Sequence, residues 1–310
     1  MIGTITLNPS IDQSIVVDKL VKDDANRAKS IQVTAGGKGI NVSKVIRELG
    51  GRTRAYALLG GFTGKYLKEL ARPLDFPLVT ERVRENTRVN TIITDLRDDT
   101  QTRVSAPGPV IRDSEMGRFV RRLLAVRPKP AFWALGGSLS RGMRPTVYRR
   151  LVQRLQKNGT PCVLDTDDQA LKYGVEARPF MIKPNEYEMQ RLCGRRLRSL
   201  EDYVLSARHW VRQGIGLVVV SLGDKGALFA DARQVFHAEP PRGIEAHSKV
   251  GAGDSLIGGV LLGLTRKMEL KEAARWGIAA ASSAVMREAP RLCRKSDIPG
   301  LIRKVKIRHL

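Results

Sequence analysis

Residues 130–166 read "PAFWALGGSLSRGMRPTVYRRLVQRLQKNGTPCVLDT": an apolar run, a long amphipathic segment, then a second apolar run that closes on an acid. The pattern predicts strand, helix, strand, and a helix of this length between two strands implies a right-handed βαβ unit with the strands parallel. The alternation recurs on both sides. "TITL" and "RAYALL" read as strands around the helical "VIREL", with "SEMGRFVRRLLAV" as a further helix. Downstream, "FMIKPN" and "GLVVVSLG" read as strands around the helices "NEYEMQRLCG" and "LEDYVLSARHWVRQG". The fold class is therefore α/β with a mainly parallel central sheet. In such sheets ligands bind at the carboxyl ends of the strands. Those ends present Asn8 with Asp12, Gly136-Gly137-Ser138, Asp165, Lys183-Pro184-Asn185 and Ser221-Leu222-Gly223. Segments 13–37 and 87–108 break the alternation: both read as strand-turn-strand with period-2 patterning, the second turning at Asp98-Asp99. They predict a small second sheet, either a lid over the rim or an oligomer contact.

A chain of 310 residues, 42% hydrophobic, buries a full core as one large α/β domain or two smaller ones. Its net charge of +23 makes nucleic acid a partner to consider. The cations recur along the whole chain, as in "RFVRRLLAVRPK", "GRRLRS" and "RKVKIRHL", mostly at helical spacing beside apolar residues, which reads as solvated helix faces. No specific nucleic-acid partner is expected; a basic protein also attracts phosphorylated metabolites. Cys162, Cys193 and Cys293 lie in different segments, with no disulfide framework or Cys-x-x-Cys pair, and this fits a reducing, cytoplasmic setting. The four histidines are as scattered. Residues 1–12 lack a basic leader, and the longest apolar run, Leu256–Leu264, is too short to span a bilayer.

"KVGAGDSLIGG" (249–259) sets a lone carboxylate behind Gly-Ala-Gly at the predicted start of a helix, Ser255–Arg266. A helix N-terminus offers unpaired N–H groups and partial positive charge to an anion. The ordinary alternative is that Asp254 caps the helix. Two other glycine motifs fail. After Gly251 and Gly253 the dinucleotide fingerprint would need glycine where Leu256 stands, and "GGFTGK" (60–65) lacks the spacing and the Ser/Thr of a Walker-type loop.

Taken together, the stretches "TLNPSID" (6–12), "AGGKGINVSKVIRELG" (35–50), "LLGGFTGKYL" (58–67), "GGSL" (136–139), "KPNEYE" (183–188), "SLGDKGAL" (221–228) and "VGAGDSLIGG" (250–259) resemble those of the ribokinase-like sugar kinases, the PfkB superfamily, and within it the 1-phosphofructokinase and tagatose-6-phosphate kinase branch. Each is weak alone, but they run in the family's order over nearly the whole chain. The resemblance implies a three-layer α/β/α sandwich with a small β-sheet lid, in a single kinase domain over 1–310. It implies ATP and Mg²⁺ as cofactors, a phosphosugar acceptor and a homodimer through the lid.

Residue by residue, the resemblance makes Gly251, Ala252 and Gly253 an anion hole for the transferring phosphoryl group and Asp254 the base that takes the sugar hydroxyl proton. Asn185 and Glu188 match an Asn-x-x-Glu that places Mg²⁺ through water, the alternative being a helix start with a first-turn acid. Asn185, Ser221, Gly223 and Gly226 border the nucleotide. Asp12, Gly37 and Asn41 match the residues that hold sugar hydroxyls. Lys38, Arg88, Arg103 and Ser138 are the expected holders of the substrate's own phosphate, with Arg27 a further candidate. The alternative for Arg88 and Arg103 is an exposed strand charge. The chain departs from the family at Lys249, where threonine is usual, at Asp165-Thr166-Asp167-Asp168, and at Gly137-Ser138-Leu139-Ser140. The expected reaction is fructose 1-phosphate to fructose 1,6-bisphosphate. Fructose 6-phosphate, faintly suggested by "APRLC" (289–293), and tagatose 6-phosphate are the nearest alternatives. A non-catalytic sugar-phosphate or nucleic-acid binder is the alternative from another class.

Overall fold

The computed structural model describes residues 1–288 and 290–310, so the first residue of the 289–293 stretch lies outside it. The first half of the chain runs β1 (Ile2–Thr6), β2 (Ser10–Val17), β3 (Ser30–Gly36), α1 (Lys38–Glu48), β4 (Thr53–Gly60), α2 (Gly61–Ala71), β5 (Leu78–Val83), β6 (Arg88–Asp95), β7 (Thr100–Val104), α3 (Asp113–Leu124), β8 (Trp133–Gly136) and α4 (Val147–Lys157). The second half runs β9 (Cys162–Asp165), α5 (Asp168–Gly174), β10 (Met181–Ile182), α6 (Glu186–Cys193), α7 (Leu200–Arg212), β11 (Leu217–Ser221), β12 (Ala227–Asp231), β13 (Val235–Glu239), α8 (Ala252–Thr265), α9 (Leu270–Val285), α10 (Ile298–Ile302) and β14 (Lys306–His309).

The central sheet has the order β14-β13-β12-β11-β10-β9-β8-β1-β4-β5 among the described residues. From β11 to β5 every pairing is parallel, and the strands beyond β11 add on antiparallel. Because side chains alternate between faces along a strand, each strand feeds two cores. Leu135, Leu164, Ile182 and Val218 join the layer of α3 to α7. Ala134, Val163, Met181 and Val219 meet α1, α8 and α9 on the other side. The result is the mainly parallel sheet that the alternation predicts, in the three-layer sandwich that the resemblance implies.

The second sheet, β3-β2-β6-β7, stands apart. Its first strand starts at Ser10, earlier than the predicted 13, so Asp12 lies inside a strand of this sheet and not at the end of a central one. The turn falls where Asp98-Asp99 predicts, with Asp99 in the left-handed region. Other differences are local. "RKVKIRHL" is not helical: Lys306–His309 pairs with β13 as an edge strand, since cross-strand partners outweigh local pattern for so short a segment. The "FMIKPN" strand shortens to Met181–Ile182, stopped by Pro184, which has no N–H to donate to a ladder.

Helix α8 begins at Ala252, three residues before its predicted start. Its place is set by close contact with α9: a Cβ on Gly259 would lie 2.6 Å from the Trp276 carbonyl oxygen, and one on Gly277 would lie 2.5 Å from Val260 Cγ2. Gly259→Val should therefore force the helices apart and cost about 1–3 kcal/mol, read as a lower Tm. An unchanged Tm would show that the contact does not hold α8 in place.

Candidate active site

Two helices start at the carboxyl ends of the strands behind glycines that offer no capping side chain, although in α1 Thr6 Oγ1 accepts the Ile40 N–H at 3.2 Å. Gly37 precedes α1 at φ 116° and Gly251 precedes α8 at φ 79°, left-handed values that favour glycine. In α8 the first intrahelical bond is Ser255 N–H to Gly251 O at 2.9 Å, which leaves the N–H groups of Ala252, Gly253 and Asp254 outside the ladder. Asp254 is the third residue of the helix and not its cap, which removes the ordinary reading of this acid. Its Oδ2 accepts from Asn41 Nδ2, one turn into α1, at 2.9 Å.

A second carboxylate lies beside it. Asp165, at the end of β9, is 3% exposed, with Lys38 Nζ at 3.1 Å and Lys183 Nζ at 3.4 Å from its Oδ1. Burial penalises the Asp165 charge, but the two ammonium groups prevail and hold its carboxyl below the usual range. Burial likewise opposes the Lys38 charge, yet Asp165, Asp254 and Glu188 raise its pKa. Lys183 Nζ also sits 3.2 Å from where a Cβ on Gly253 would stand, against the free end of α8. Asp254 is pushed up to about 6, by burial first and then by Asp165, with Lys38, Asn41 and Lys183 opposing.

The inner face of the second sheet supplies the next group. Directly paired residues share a face, and the pairs Ser10↔Arg88, Asp12↔Asn90 and Ile92↔Arg103 set Asp12, Arg88, Asn90 and Arg103 on one side. Asp12 Oδ1 accepts from Ser10 Oγ at 2.7 Å and Asn90 Nδ2 at 2.9 Å, and a Cβ on Gly36 would strike its Oδ2. Arg88 donates to Asn8 O and Ala106 O, and Asn8 donates to Ser138 Oγ at 3.3 Å. Burial and the like charge of Arg103 disfavour the Arg88 cation, with Asp12 opposing. Arg88 Nε and Asn8 Oδ1 are buried with no hydrogen-bond partner among the described residues. The Arg88 Nε–H suits an anion, whereas Asn8 Oδ1 can only accept and calls for a donor such as a hydroxyl.

The expected phosphate-holding set is thus divided. Arg88 and Ser138 both bond Asn8, and Arg103 lies exposed on β7 on the same face of the second sheet as Arg88, while Lys38 is paired with Asp165 on the Asp254 side. Arg27 lies exposed between β2 and β3. The residues that the sequence reading passed over are Lys183, Asp165, Asn8 and Asn90. All but Asn90 stood at strand ends on the rim, and Lys183, a lysine buried at the end of an apolar strand, was the clearest signal.

At the far side Asn185 caps α6, accepting from Glu188 N–H at 2.8 Å, while Glu188 Oε2 accepts from Asn185 N–H at 2.8 Å. This is the capping box foreseen as the structural alternative. It leaves Glu188 Oε1 without a hydrogen bond among the described residues. Burial, then Asp165, raises the Glu188 pKa against Lys183 and Lys38. Among the described residues no cluster of three or more His, Cys, Asp or Glu side chains could cage a metal. One half-buried carboxylate with an amide oxygen beside it fits Mg²⁺, which keeps its waters and takes other ligands from phosphates. The loop after β11 borders this region: Ser221 N–H bonds Pro184 O at 3.0 Å, Gly223 is open to solvent at φ 62°, and a Cβ on Gly226 would meet Ala238 O at 2.2 Å. Lys249 is exposed; beside it, Ser248 Oγ reaches Gln101 Oε1 of β7 at 3.3 Å, tying the α8 approach to the second sheet.

Residues 2–297 match the model of the pfkB family carbohydrate kinases. The chain is 31% identical over 310 residues to 1-phosphofructokinase of Bacillus subtilis, covering all of both chains. It is 32% identical over 298 residues to ATP-dependent 6-phosphofructokinase isozyme 2 of Escherichia coli, covering 96% of each. The crystal structure of Escherichia coli phosphofructokinase-2 in complex with fructose-6-phosphate superposes with a TM-score of 0.91 at 30% identity, over 97% of this chain and 98% of that one. Among the described residues no helix is long and apolar enough to cross a membrane.

Since Lys38 and Asn41 both favour the charged form of Asp254, Lys38→Met should move the Asp254 titration above its value of about 6. Carboxyl NMR through a pH series measures it. A midpoint at or below that of the parent chain would mean that the ammonium does not act on this carboxylate.

Proposed function

The chain belongs to the pfkB family of carbohydrate kinases and is a sugar-phosphate kinase that uses ATP, and from that premise we propose that it phosphorylates fructose 1-phosphate to fructose 1,6-bisphosphate. The observation that carries a phosphorylated acceptor is the corner of Arg88, Arg103, Asn8 and Ser138. There two guanidinium groups lie near each other, and the buried Arg88 Nε–H has no acceptor among the described residues. A half-buried guanidinium whose Nε–H has no acceptor is costly to leave unpaired, and a substrate phosphate offsets that cost with charge-assisted hydrogen bonds. Similarity to a 1-phosphofructokinase over all of both chains supports the 1-phosphate. The relative named for 6-phosphofructokinase, of comparable identity, makes fructose 6-phosphate the second reading.

In this reading Asp12 and Asn41 bind sugar hydroxyls beside Gly37, and Asp254 takes the proton of the attacking hydroxyl. A pKa near 6 leaves Asp254 mostly ionised at neutral pH yet close enough to the working range for general-base catalysis. The N–H groups of Ala252, Gly253 and Asp254, with Lys183 and Lys38, receive the charge that develops on the transferring group, with Gly251 setting the turn. Ser221, Gly223 and Gly226 edge the nucleotide. Asn185 and Glu188 hold the hydrated Mg²⁺, whose chemistry when bound is to neutralise phosphate charge. Closure of the second sheet, segments 13–37 and 87–108, over the 1–310 domain excludes water from transfer.

A coupled ADP-release assay over fructose 1-phosphate, fructose 6-phosphate, tagatose 6-phosphate and fructose tests the acceptor. Fructose 1-phosphate should exceed free fructose in kcat/KM by roughly 10³ or more, and Arg88→Ala should lower phosphosugar kcat/KM by about 1.5–3 kcal/mol per charged hydrogen bond while sparing the KM for ATP. Asp254→Asn should lose about 10²–10⁴-fold in kcat. Equal use of fructose, or a silent Arg88→Ala, overturns the phosphate corner, and a better 6-phosphate overturns the 1-phosphate.

The outer face of the second sheet supports a homodimer as its partner surface. Ile31 of β3 is 54% exposed, Val104 of β7 is 59% exposed and Val89 of β6 is partly exposed, apolar side chains spread across one face from edge to edge that a second copy would cover. Light scattering at micromolar concentration should give twice the monomer mass; the mass of one chain refutes the dimer.

A further inference from the structure

A cavity of about 730 Å³ opens behind the site, between the last turns of α1, the turn that follows α2 and the loop 290–295 that leads to α10. Its walls carry Lys44, Arg47, Arg291 and Lys295 against two acids, Glu48 and Asp75. Arg47 is already paired with Asp75. Glu48 Oε1 accepts the Lys295 backbone N–H at 2.8 Å, which pins the loop to α1. Lys44, Arg291 and Lys295 form no ion pair among the described residues. Burial brings Lys44 down to about 8 against the attraction of Asp12 and Asp254, and an anion in the cavity would further favour its charged form. The volume lies within the range of ordinary small-molecule sites.

The cavity touches the catalytic apparatus through two separate contacts. Leu292, in its wall, packs on Gly251: a Cβ there would sit 2.1 Å from Leu292 Cδ2. Lys44 donates to Ala35 O, next to the Gly36-Gly37 turn, and stands one turn along α1 from Asn41, which holds Asp254. We propose that this cavity is a second ligand site, for a small phosphorylated metabolite held by Arg291, Lys295 and Lys44, and that its occupancy changes turnover by moving Leu292 against Gly251. The phosphate group is what the cations recognise. A nucleotide and a sugar phosphate both fit the volume.

Isothermal titration calorimetry with inorganic pyrophosphate, on the full chain saturated with ADP and the phosphosugar acceptor found by the panel, tests the site. One pyrophosphate should still bind. Arg291→Ala/Lys295→Ala should weaken it at least tenfold, as should Gly50→Asp, whose carboxylate would reach Lys295 across a Cβ-to-Nζ separation of 3.6 Å. Arg303→Ala/Lys304→Ala should leave it unchanged. Displacement by AMP identifies a nucleotide site and displacement by glucose 6-phosphate a sugar-phosphate site. Loss of all binding under saturation, indifference to both cavity variants, or displacement by neither metabolite overturns the proposal. With free Mg²⁺ held constant, pyrophosphate should change kcat by roughly fivefold, the lower end of ordinary site-to-site coupling. Leu292→Ala should keep the binding and lose that change. An unaltered wild-type kcat refutes the coupling. The panel reads which acceptor is turned over and the calorimetry reads pyrophosphate binding with that acceptor in place, whichever it is, so a misassigned substrate and a missing site give different results.

Discussion

Asn41 reaches across from α1 to the carboxylate of Asp254 on α8, and this bond fixes two helix N-termini that follow glycines against each other. Each brings about half a positive charge and N–H groups outside its ladder to one place, with one of those of α1, on Ile40, taken by Thr6 Oγ1. That concentration of positive potential makes a buried carboxylate tolerable between them, and it makes the same place a receptor for phosphate. The packing behind it is correspondingly close: Gly258 meets Val45 of α1, and Gly259 and Gly263 meet α9. Side chains larger than hydrogen at these glycines would withdraw α8 from Asn41 and so separate the acid from its orienting amide.

Charge balance accounts for the rest of the centre. Asp165, Asp254 and Glu188 would repel one another in a region of low dielectric without Lys38 and Lys183 among them. Asp165 takes both lysines and stays ionised; Asp254, with only partial compensation, does not stay as acidic. Two carboxylates in one cleft thereby acquire different proton affinities, the condition for one to remain a structural anion while the other exchanges a proton near neutrality. The lysines serve twice, since a phosphoryl group arriving at the end of α8 meets ammonium groups already held in place by Asp165.

The second sheet follows a different constraint, the two-residue period of a strand. Its polar side gathers Ser10, Asp12, Asn90, Arg88 and Arg103, while on the opposite side Ile11 and Ala35 pack with Leu67 and Ala71 of α2. A slip of one residue in the β2–β6 pairing would turn Asp12 and Arg88 away from the rim and bury charge against α2. The apolar anchor against α2 therefore also fixes which side chains face the substrate.

The order of strands and helices, the parallel sheet and the turn at Asp98-Asp99 were legible in the chain, because hydrophobic period and turn chemistry are local properties. So were the glycines before α1 and α8 and most of the residues now seen around the cleft, because a βαβ fold delivers strand ends to one edge. Local pattern did not determine which of these residues meet. That Lys38 pairs with Asp165 and stands apart from Arg88, that Asn41 holds Asp254, and that Lys183 lies against Gly253 are contacts between elements far apart in sequence. The edge strand Lys306–His309 likewise depends on a partner some seventy residues upstream. Composition and spacing fixed the kinds of group available; only packing, through burial and the charges each group then faces, decided their pairings and proton affinities.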